Sequence, residues 1–222
     1  MTGTRRLVSL RDIHFSHEGG RSVLAGASFD LFDRQRIGLC GHVGSGKTTI
    51  LHIIMGLLRP DSGIVEVFGE RREKEKDFRD VRGRAGLLFQ DPDDQLFCPT
   101  VLEDTAFGPL NQGYSREEAL EISNSMLHLL GLGGFGERIT HHLSGGEKRL
   151  VSLATVLAMK PEVLLLDEPF SGLDPRSSER IVEILAGLSQ AMIIVSHDRS
   201  FLENATESSL VVSDGIISGQ QA

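Results

Sequence analysis

The stretch that decides the fold is GHVGSGKT, Gly41 to Thr48. It satisfies the pattern G-x-x-x-x-G-K-[ST], in which glycines let backbone N–H groups converge on phosphate oxygens. The short apolar run RIGLCG precedes it, and the helical spacing of KTTILHIIMGLL follows it. A glycine loop between a buried strand and a helix is the setting in which this pattern binds phosphate, which argues against a chance glycine turn.

The loop assigns separate tasks to its residues. We expect Lys47 to add a positive charge to the β- and γ-phosphates and Thr48 to offer its hydroxyl to Mg²⁺. The other positions contribute mainly backbone N–H groups at the start of the helix. The predicted nucleotide-binding set in this loop is Gly41, His42, Val43, Gly44, Ser45, Gly46, Lys47, Thr48 and Thr49.

Strand and helix patterns alternate along the rest of the chain. LVSLRDIHFSH and SVLAGASFDLF alternate apolar and polar residues, which predicts antiparallel strands, whereas EVLLLDEP and AMIIVSHD are apolar runs typical of buried parallel strands. We therefore expect an α/β fold with a mostly parallel sheet core, an antiparallel β subdomain and an inserted α-helical subdomain. One domain spans 1–222, with the core at approximately 1–99 and 155–222 and the helical subdomain at 100–154.

Several helix and turn boundaries are readable. Ser115 with Glu118 predicts a capping box, and Asp174 before Pro175 predicts an N-cap followed by proline in the first turn. RPDSG, with Pro60 and Gly63, predicts the end of the helix that starts at Lys47. Asp214 and Gly215 predict the turn of a closing hairpin.

The net charge of −8 and pI near 5.5 argue against extended nucleic-acid binding, which needs a basic surface. Only two cysteines occur, Cys40 and Cys98, so neither a disulfide framework nor a four-ligand zinc site is predicted. We expect Cys40 to be a small core residue of a strand. No signal peptide or apolar run of about 20 residues is seen, which favours a reducing cytosolic location with any membrane contact made through a partner.

Two carboxylates follow a predicted buried strand in LLLDE, residues 164–168. A strand-end aspartate in such folds faces the crevice that holds phosphates, so Asp167 is expected to reach Mg²⁺ through water. Glu168 is expected to polarise the attacking water as a general base. The alternative is that Glu168 is a solvated carboxylate after a strand.

LSGGE, residues 143–147, predicts a second helix with glycines at its N-terminus. Ser144 can cap this helix and donate to an anion, although the spacing of Ser144 and Glu147 is also that of a plain capping box. His197 follows another predicted buried strand. It is a candidate contact for a γ-phosphate or, alternatively, an ordinary core or edge histidine.

An ordered set of motifs extends over nearly the whole chain: GHVGSGKT, Gln90, LSGGE, LLLDE, SGLD and His197. In these motifs the sequence resembles the nucleotide-binding subunits of ABC transporters. The resemblance implies a head-to-tail dimer, homodimeric or with a paralogue, in which the P-loop of one subunit and Ser144 to Glu147 of the other enclose one ATP. It implies that Gln90 joins the Mg²⁺ and water shell and that His197 senses the γ-phosphate. It places the chain at the cytoplasmic face of the membrane, where residues 91–100 contact an integral membrane subunit.

The chain also departs from the family pattern. FSH, residues 15–17, stands where FSY is usual, so His17 replaces the aromatic residue that stacks on adenine. His42 and Val43 replace Pro and Asn inside the loop, Glu147 stands where Gln is commoner, and Phe170 where Thr often follows the proline. A histidine can still stack on adenine, but the strength of that contact and its dependence on pH are then open.

Within the family, the segment beginning QDPDDQLFCPT at Gln90 is similar to the energy-coupling-factor and cobalt/nickel importers. Another ABC transporter class, a non-transport ABC protein of DNA repair or translation, and a P-loop kinase or GTPase are the alternatives. The cargo stays open among Co²⁺, Ni²⁺ and vitamins. Leu96 and Phe97 are predicted either to dock on the membrane partner or to pack under the helical subdomain.

Overall fold

The structure is a computed structural model that describes residues 5–220. It divides into two compact units. The first, called the sheet unit, holds the chain up to Leu87, Glu162–Asp167 and the chain from Ser189 onward; the second, called the helical unit, holds Leu88–Pro161 and Glu168–Leu188. These bounds differ from the predicted ones, because 88–99, 155–161 and 168–188 join the helices instead of the sheet core.

One sheet of the sheet unit is antiparallel, in the order β2-β1-β4-β5. β1 pairs with β2 along its length and with β4 from Val8 to His14, with bulges that interrupt the register. Burial alternates over most of β2 and the second half of β1, as predicted for strands with one wet face, but residues 7–10 of β1 are all buried. The strands are β1 Arg6–Ser16, β2 Ser22–Phe32, β4 Ser62–Val67 and β5 Glu70–Arg71.

The second sheet is mostly parallel, in the order β10-β9-β3-β8-β7-β6. β3 lies between β8 and β9 and runs parallel to both, and β7 runs parallel to β8. All residues of β7 and β8 are buried. The strands are β3 Arg36–Cys40, β6 Ala85–Leu88, β7 Val163–Asp167, β8 Ala191–Val195, β9 Ser208–Ser213 and β10 Ile216–Gln220. The predicted α/β class with a parallel core is confirmed, and Cys40 is a buried residue of β3.

In the described part of the chain, the sheet unit has three helices. They are α1 Lys47–Met55, α2 Phe78–Arg84, after a 3₁₀ turn at Glu75–Asp77, and α7 Arg199–Ala205. α1 ends earlier than RPDSG predicted, because Gly56 adopts a left-handed φ of 69° as its C-cap. A Cβ on Gly56 would lie 2.2 Å from Cγ of Phe78, so only glycine fits there.

The helical unit contains four helices and two 3₁₀ turns. Ser115 and Glu118 form the predicted capping box, and Asp174 caps the helix that begins at Pro175. Thr100 and Glu103 form a further box that the sequence reading left unmentioned. The helices are α3 Val101–Asn111, α4 Arg116–Leu129, α5 Gly145–Ala158 and α6 Pro175–Gly187, and the turns are Pro92–Asp94 and Thr140–His142.

Over residues 5–220, no helix has both the length and the apolar character required to cross a membrane.

Candidate active site

The loop GHVGSGKT joins the end of β3 to the start of α1. Gly41, Gly44 and Gly46 have φ values of 148°, 78° and 105°. A Cβ on Gly41 would stand 2.4 Å from the carbonyl oxygen of Val212 in β9, and one on Gly46 would stand 2.8 Å from Leu24 in β2. The first and third glycines are therefore required by the packing of the loop against two strands, as well as by its backbone conformation.

The ammonium group of Lys47 folds back into the loop. Its Nζ donates to the carbonyl oxygens of Gly41 and His42 over 3.0 and 2.9 Å, and lies 3.4 Å from Oγ of Ser45. Lys47 is buried apart from 9% of its surface. Within residues 5–220 its hydrogen bonds go to neutral oxygens alone, so this buried ammonium is a ready partner for an anion.

Thr48 and Asp167 bring two oxygen ligands together. The Thr48 hydroxyl donates to Oδ2 of Asp167 over 2.6 Å, and Asp167, the last residue of β7, is 2% exposed. Hydroxyl and carboxylate oxygens are the ligands that Mg²⁺ takes, so this pair fits the expected ion. His52, one turn along α1 from Thr48, has its pKa lowered by burial, and the charge of Asp167 opposes that shift.

A cavity of about 180 Å³ lies beside the loop. His17 and Val23 line one part of it, and its other lining residues in the loop and helix are Gly44, Gly46, Lys47, Thr48 and Thr49. His17 packs edge-on against Phe15, with ring centroids 5.1 Å apart. Arg21, which the sequence reading did not single out, also lines this cavity.

His197 lies two residues beyond β8, exposed to solvent. Because β3, β7 and β8 are parallel, the P-loop, Asp167 and His197 all follow the carboxyl ends of neighbouring strands. The neighbouring Asp198 caps α7 by accepting from the Ser200 N–H. The hydrogen bond from the Ser200 side chain is the main cause that lowers the pKa of Asp198, and His197 adds to the shift. The sheet unit thus gathers four of the predicted elements at one edge: His17, the loop, Asp167 and His197.

In the helical unit, Ser144 caps α5 through a reciprocal box. Oγ of Ser144 accepts from the Glu147 N–H over 3.3 Å, and Oε2 of Glu147 accepts from the N–H and Oγ of Ser144, each over 2.8 Å. Arg138 adds a salt bridge of 3.2 Å to Glu147. Hydrogen bonds from Ser144, first from its backbone and then from its side chain, lower the pKa of Glu147, and Arg138 contributes further.

Gly145 and Gly146 form the first turn of α5. A Cβ on Gly145 would meet no atom within 4 Å, whereas one on Gly146 would lie 3.4 Å from the carbonyl oxygen of Gly172, also in the helical unit. The capping box is thus present, and the open space at Gly145 leaves the helix N-terminus accessible to an anion.

Gln90 is held through its backbone by Arg149, a residue of α5 that the sequence reading missed. The guanidinium donates to the carbonyl oxygens of Phe89 and Gln90, the former over 2.6 Å, and Arg149 is only 3% exposed. Gln95 supports the same segment, since its Oε1 accepts from the Phe89 N–H and its Nε2 donates to the Ser152 carbonyl. An arginine one position before the apolar pair Leu150 and Val151, on a helix that is largely apolar, is the signal that could have identified it.

Glu168 has a left-handed backbone with φ of 49° and is buried apart from 9% of its surface. A non-glycine residue in this conformation stores strain, and such residues cluster at functional sites. The carbonyl oxygen of Glu168 accepts from the Ser171 N–H over 3.1 Å, closing a turn. The burial contradicts the alternative that Glu168 is simply a solvated carboxylate.

Leu96 and Phe97 differ in how much of each side chain is exposed to solvent. Leu96 is 3% exposed and belongs to the core, so the expectation that it projects as part of a docking surface is wrong. Phe97 is 63% exposed and packs edge-on against Phe107, with centroids 4.8 Å apart. Asp104, buried in the same unit, accepts from the N–H groups of Phe97 and Cys98, which holds the backbone of this loop in place.

Known proteins of one family resemble this chain. The family model described as ABC transporter matches residues 24–171. A protein of Brucella suis biovar 1 named as an ABC transporter ATP-binding protein is 55% identical over 94% of this chain and 87% of its own length. An energy-coupling factor transporter ATP-binding protein of Methanothermobacter thermautotrophicus is 40% identical over 94% of this chain and 68% of its own length.

Solved structures share the fold. CbiO1 of Clostridium perfringens, part of an ABC transporter complex, has a TM-score of 0.85 and 29% identity, covering 98% of this chain and 88% of that one. An ATP-binding cassette solved as a dimer with ADP and phosphate has a TM-score of 0.90 at 23% identity, covering 97% of this chain and all of that one.

Proposed function

The chain belongs to the ABC transporter family of ATP-binding proteins, and on that premise we propose that it is the ATP-hydrolysing subunit of an importer of the energy-coupling-factor type. Members of the family are ATPases, and their cofactor is Mg²⁺. What is proposed beyond family membership is the importer type, the task of each site residue and the partners.

The observation that carries the proposal is the meeting of Lys47, Thr48 and Asp167 at the ends of β3 and β7. The buried ammonium of Lys47 supplies a positive charge for the phosphates. The Thr48 hydroxyl and the Asp167 carboxylate, 2.6 Å apart, supply oxygen ligands for the Mg²⁺ that a bound triphosphate carries. The glycine loop adds backbone N–H groups at the N-terminus of α1.

Each site residue would have its own role in ATP hydrolysis. The Gly41–Thr49 loop and Lys47 hold the β- and γ-phosphates, while Thr48, Asp167 and Gln90 hold Mg²⁺. When bound, this ion neutralises charge on the phosphate oxygens. Glu168 orients a water and accepts its proton as the water oxygen bonds to the γ-phosphorus and the bond to the ADP oxygen breaks. His197 contacts the γ-phosphate, and His17 stacks on the adenine.

A second copy is needed for the other anion-binding helix end. The N-terminus of α5 is open at Gly145, beside the Ser144 hydroxyl, which is bonded to Glu147. We infer a head-to-tail dimer in which Ser144, Gly145, Gly146 and Glu147 of one subunit close over ATP held by the P-loop of its partner. The dimeric cassette that shares this fold supports the arrangement.

The membrane partner is placed at residues 91–100, on the cytoplasmic face of the membrane. Of the two apolar residues there, Phe97 is the one that is available for contact. Arg149 links this segment to α5 by bonding to the carbonyl of Gln90, the residue that precedes it. A shift of α5 can thereby reach the docking segment through a short chain of contacts within the helical unit.

Two relatives support the importer type. The Methanothermobacter thermautotrophicus relative is named as an energy-coupling factor protein, and CbiO1 belongs to the complex CbiONQ. The cargo is Co²⁺, Ni²⁺ or a vitamin, which an ATPase in this arrangement does not touch. A different ABC transporter class is the second candidate, since other highly identical relatives are named only as ABC transporter ATP-binding proteins.

Two measurements test the proposal. Purified protein should hydrolyse ATP only with Mg²⁺, and tagged protein isolated from mild detergent should retain an integral membrane subunit identifiable by mass spectrometry. Loss of that retention in Phe97→Ser, with Phe135→Ser as a control outside the segment, would support docking at residues 91–100. Recovery of nucleic acid or ribosomes in place of membrane proteins would count against transport.

A further inference from the structure

The turn between β1 and β2 holds Arg21 directly across from His17. The His17 N–H donates to the Arg21 carbonyl over 3.1 Å, and the Gly20 N–H donates to the His17 carbonyl over 3.0 Å. Gly19 and Gly20 have φ values of 106° and 82°, a conformation that favours glycine and keeps the turn tight. The turn therefore fixes both residues at one end of the β1–β2 hairpin.

Arg21 lines the 180 Å³ cavity beside the glycine loop together with Lys47 and Thr48, the residues expected to hold the phosphates and Mg²⁺. Nη2 of Arg21 lies 3.9 Å from the point where a Cβ on Gly44 would stand, so the guanidinium rests along the backbone of the glycine loop. His17 lines the same cavity from the same turn, and it is the residue expected to meet the base.

The charge of Arg21 is not used inside the protein. Arg11 and Arg84 each form salt bridges with carboxylates, but within residues 5–220 no carboxylate pairs with Arg21 and no acceptor bonds to its guanidinium. Lys47 differs as well, since loop carbonyls accept from its ammonium. Five donors in a planar fork, beside an anion-binding loop, match a phosphate group.

We propose that Arg21 is a further nucleotide-binding residue whose guanidinium contacts the phosphate chain of ATP. The assignment rests on the proposed function, because it concerns the same site. The contact forms with ATP and ADP alike, so it strengthens substrate and product binding without favouring the transition state. Removing it should raise KM and leave kcat unchanged.

The experiment is a binding titration of the full chain without Mg²⁺ at low ionic strength. Arg21→Gln should raise the Kd for ATP and for ADP about tenfold, a loss of about 1.4 kcal/mol. Inorganic tripolyphosphate, which has no base or ribose, should lose affinity by a similar factor. The ATP affinity of Arg21→Lys should lie between those of wild type and Arg21→Gln, because lysine keeps the charge but lacks the planar fork of donors. Added salt should reduce the difference in Kd for ATP between wild type and Arg21→Gln, because it screens the charge of Arg21.

Arg79→Gln is the matched control, since Arg79 is an exposed arginine of α2 outside the cavity. Thermal unfolding of each variant verifies that it is folded. Failure of the wild type to bind ATP contradicts the proposed function. If the wild type binds and Arg21→Gln equals Arg79→Gln in ATP affinity, the assignment of Arg21 is overturned. A loss for ATP with none for tripolyphosphate overturns it too, because the contact then goes to the base or ribose.

Discussion

The hydroxyl of Thr48 lies 2.6 Å from Oδ2 of Asp167, although 118 residues separate the two in the chain. β3 and β7 each pair with β8, and this brings the loop after one strand near the end of the other. Thr48→Val should lower magnesium-dependent ATP turnover about 10- to 100-fold, because it removes the hydroxyl that we propose as an oxygen ligand of the ion. Turnover measured against Mg²⁺ concentration checks this.

Thr48→Ser is the control for that loss. It keeps the hydroxyl and should stay within a few-fold of wild type. Equal turnover in Thr48→Val and Thr48→Ser would exclude the hydroxyl from the metal site.

Glu168→Gln should lower the hydrolysis rate by about 10² to 10⁴ while ATP still binds, because the amide cannot accept the proton of water. Single-turnover hydrolysis and ATP binding, measured on the same sample, separate the two effects. Glu183→Gln, at an exposed position of α6, carries the same chemical change and should leave both unchanged. Undiminished turnover in Glu168→Gln would remove the general-base assignment.

Truncation of Leu96 should cost much more stability than truncation of Phe97. Leu96→Ala should lower the free energy of unfolding by about 2 to 5 kcal/mol, since it leaves a cavity in the core. Phe97→Ala should cost about 1 kcal/mol or less, mainly the edge-on contact with Phe107. Urea unfolding gives both values. A double replacement would confuse folding with docking, and similar costs for the two variants would contradict the exposure difference.

Glu147 should make stability depend on pH. Its pKa is lowered in the folded protein, so its contribution is present above the ordinary value near 4.5 and is lost as pH falls through the lower folded value. The difference in unfolding free energy between wild type and Glu147→Gln should therefore be largest near pH 7. It should stay within about 1 kcal/mol because the group is partly exposed. A difference that grows on acidification would have the wrong sign.

Cys98 should react slowly with thiol reagents. Burial, with Asp104 as the next cause, raises its pKa to about 11. At pH 8 the thiolate fraction is then about a hundredfold lower than for a thiol of pKa 9, and alkylation should slow by a similar factor. Asp104→Asn should accelerate it, as measured by iodoacetamide labelling with a Cys40→Ala background. A rate like that of a free thiol would contradict the raised pKa.

Much of the site could be read from local sequence. The glycine loop, the aspartate after β7 and the Ser144 cap each depend on residues close together in the chain, and each lies where the pattern predicted. Local signals also placed the Ser115 and Asp174 caps.

What the sequence concealed depends on distant contacts. α1 ends at Gly56 because Phe78 packs over it, and no property of RPDSG encodes that. Arg149 reads as a surface charge until the carbonyls of Phe89 and Gln90 are seen to accept from it. Leu96 and Phe97 are neighbouring apolar residues in the sequence, and only the folded chain shows that Leu96 is buried while Phe97 stays exposed.

The position of β3 has a consequence for how the protein is made. This strand carries the glycine loop, yet both of its neighbours come late in the chain, since Ile37 pairs with Ile193 and Ser208. Val212 of β9 also packs against Gly41. During synthesis on the ribosome, the loop emerges early and must wait for nearly all remaining residues before its supporting strands can assemble. Nucleotide binding is therefore a late event in biogenesis, and a nascent chain that stops before β8 carries the complete motif without a working pocket.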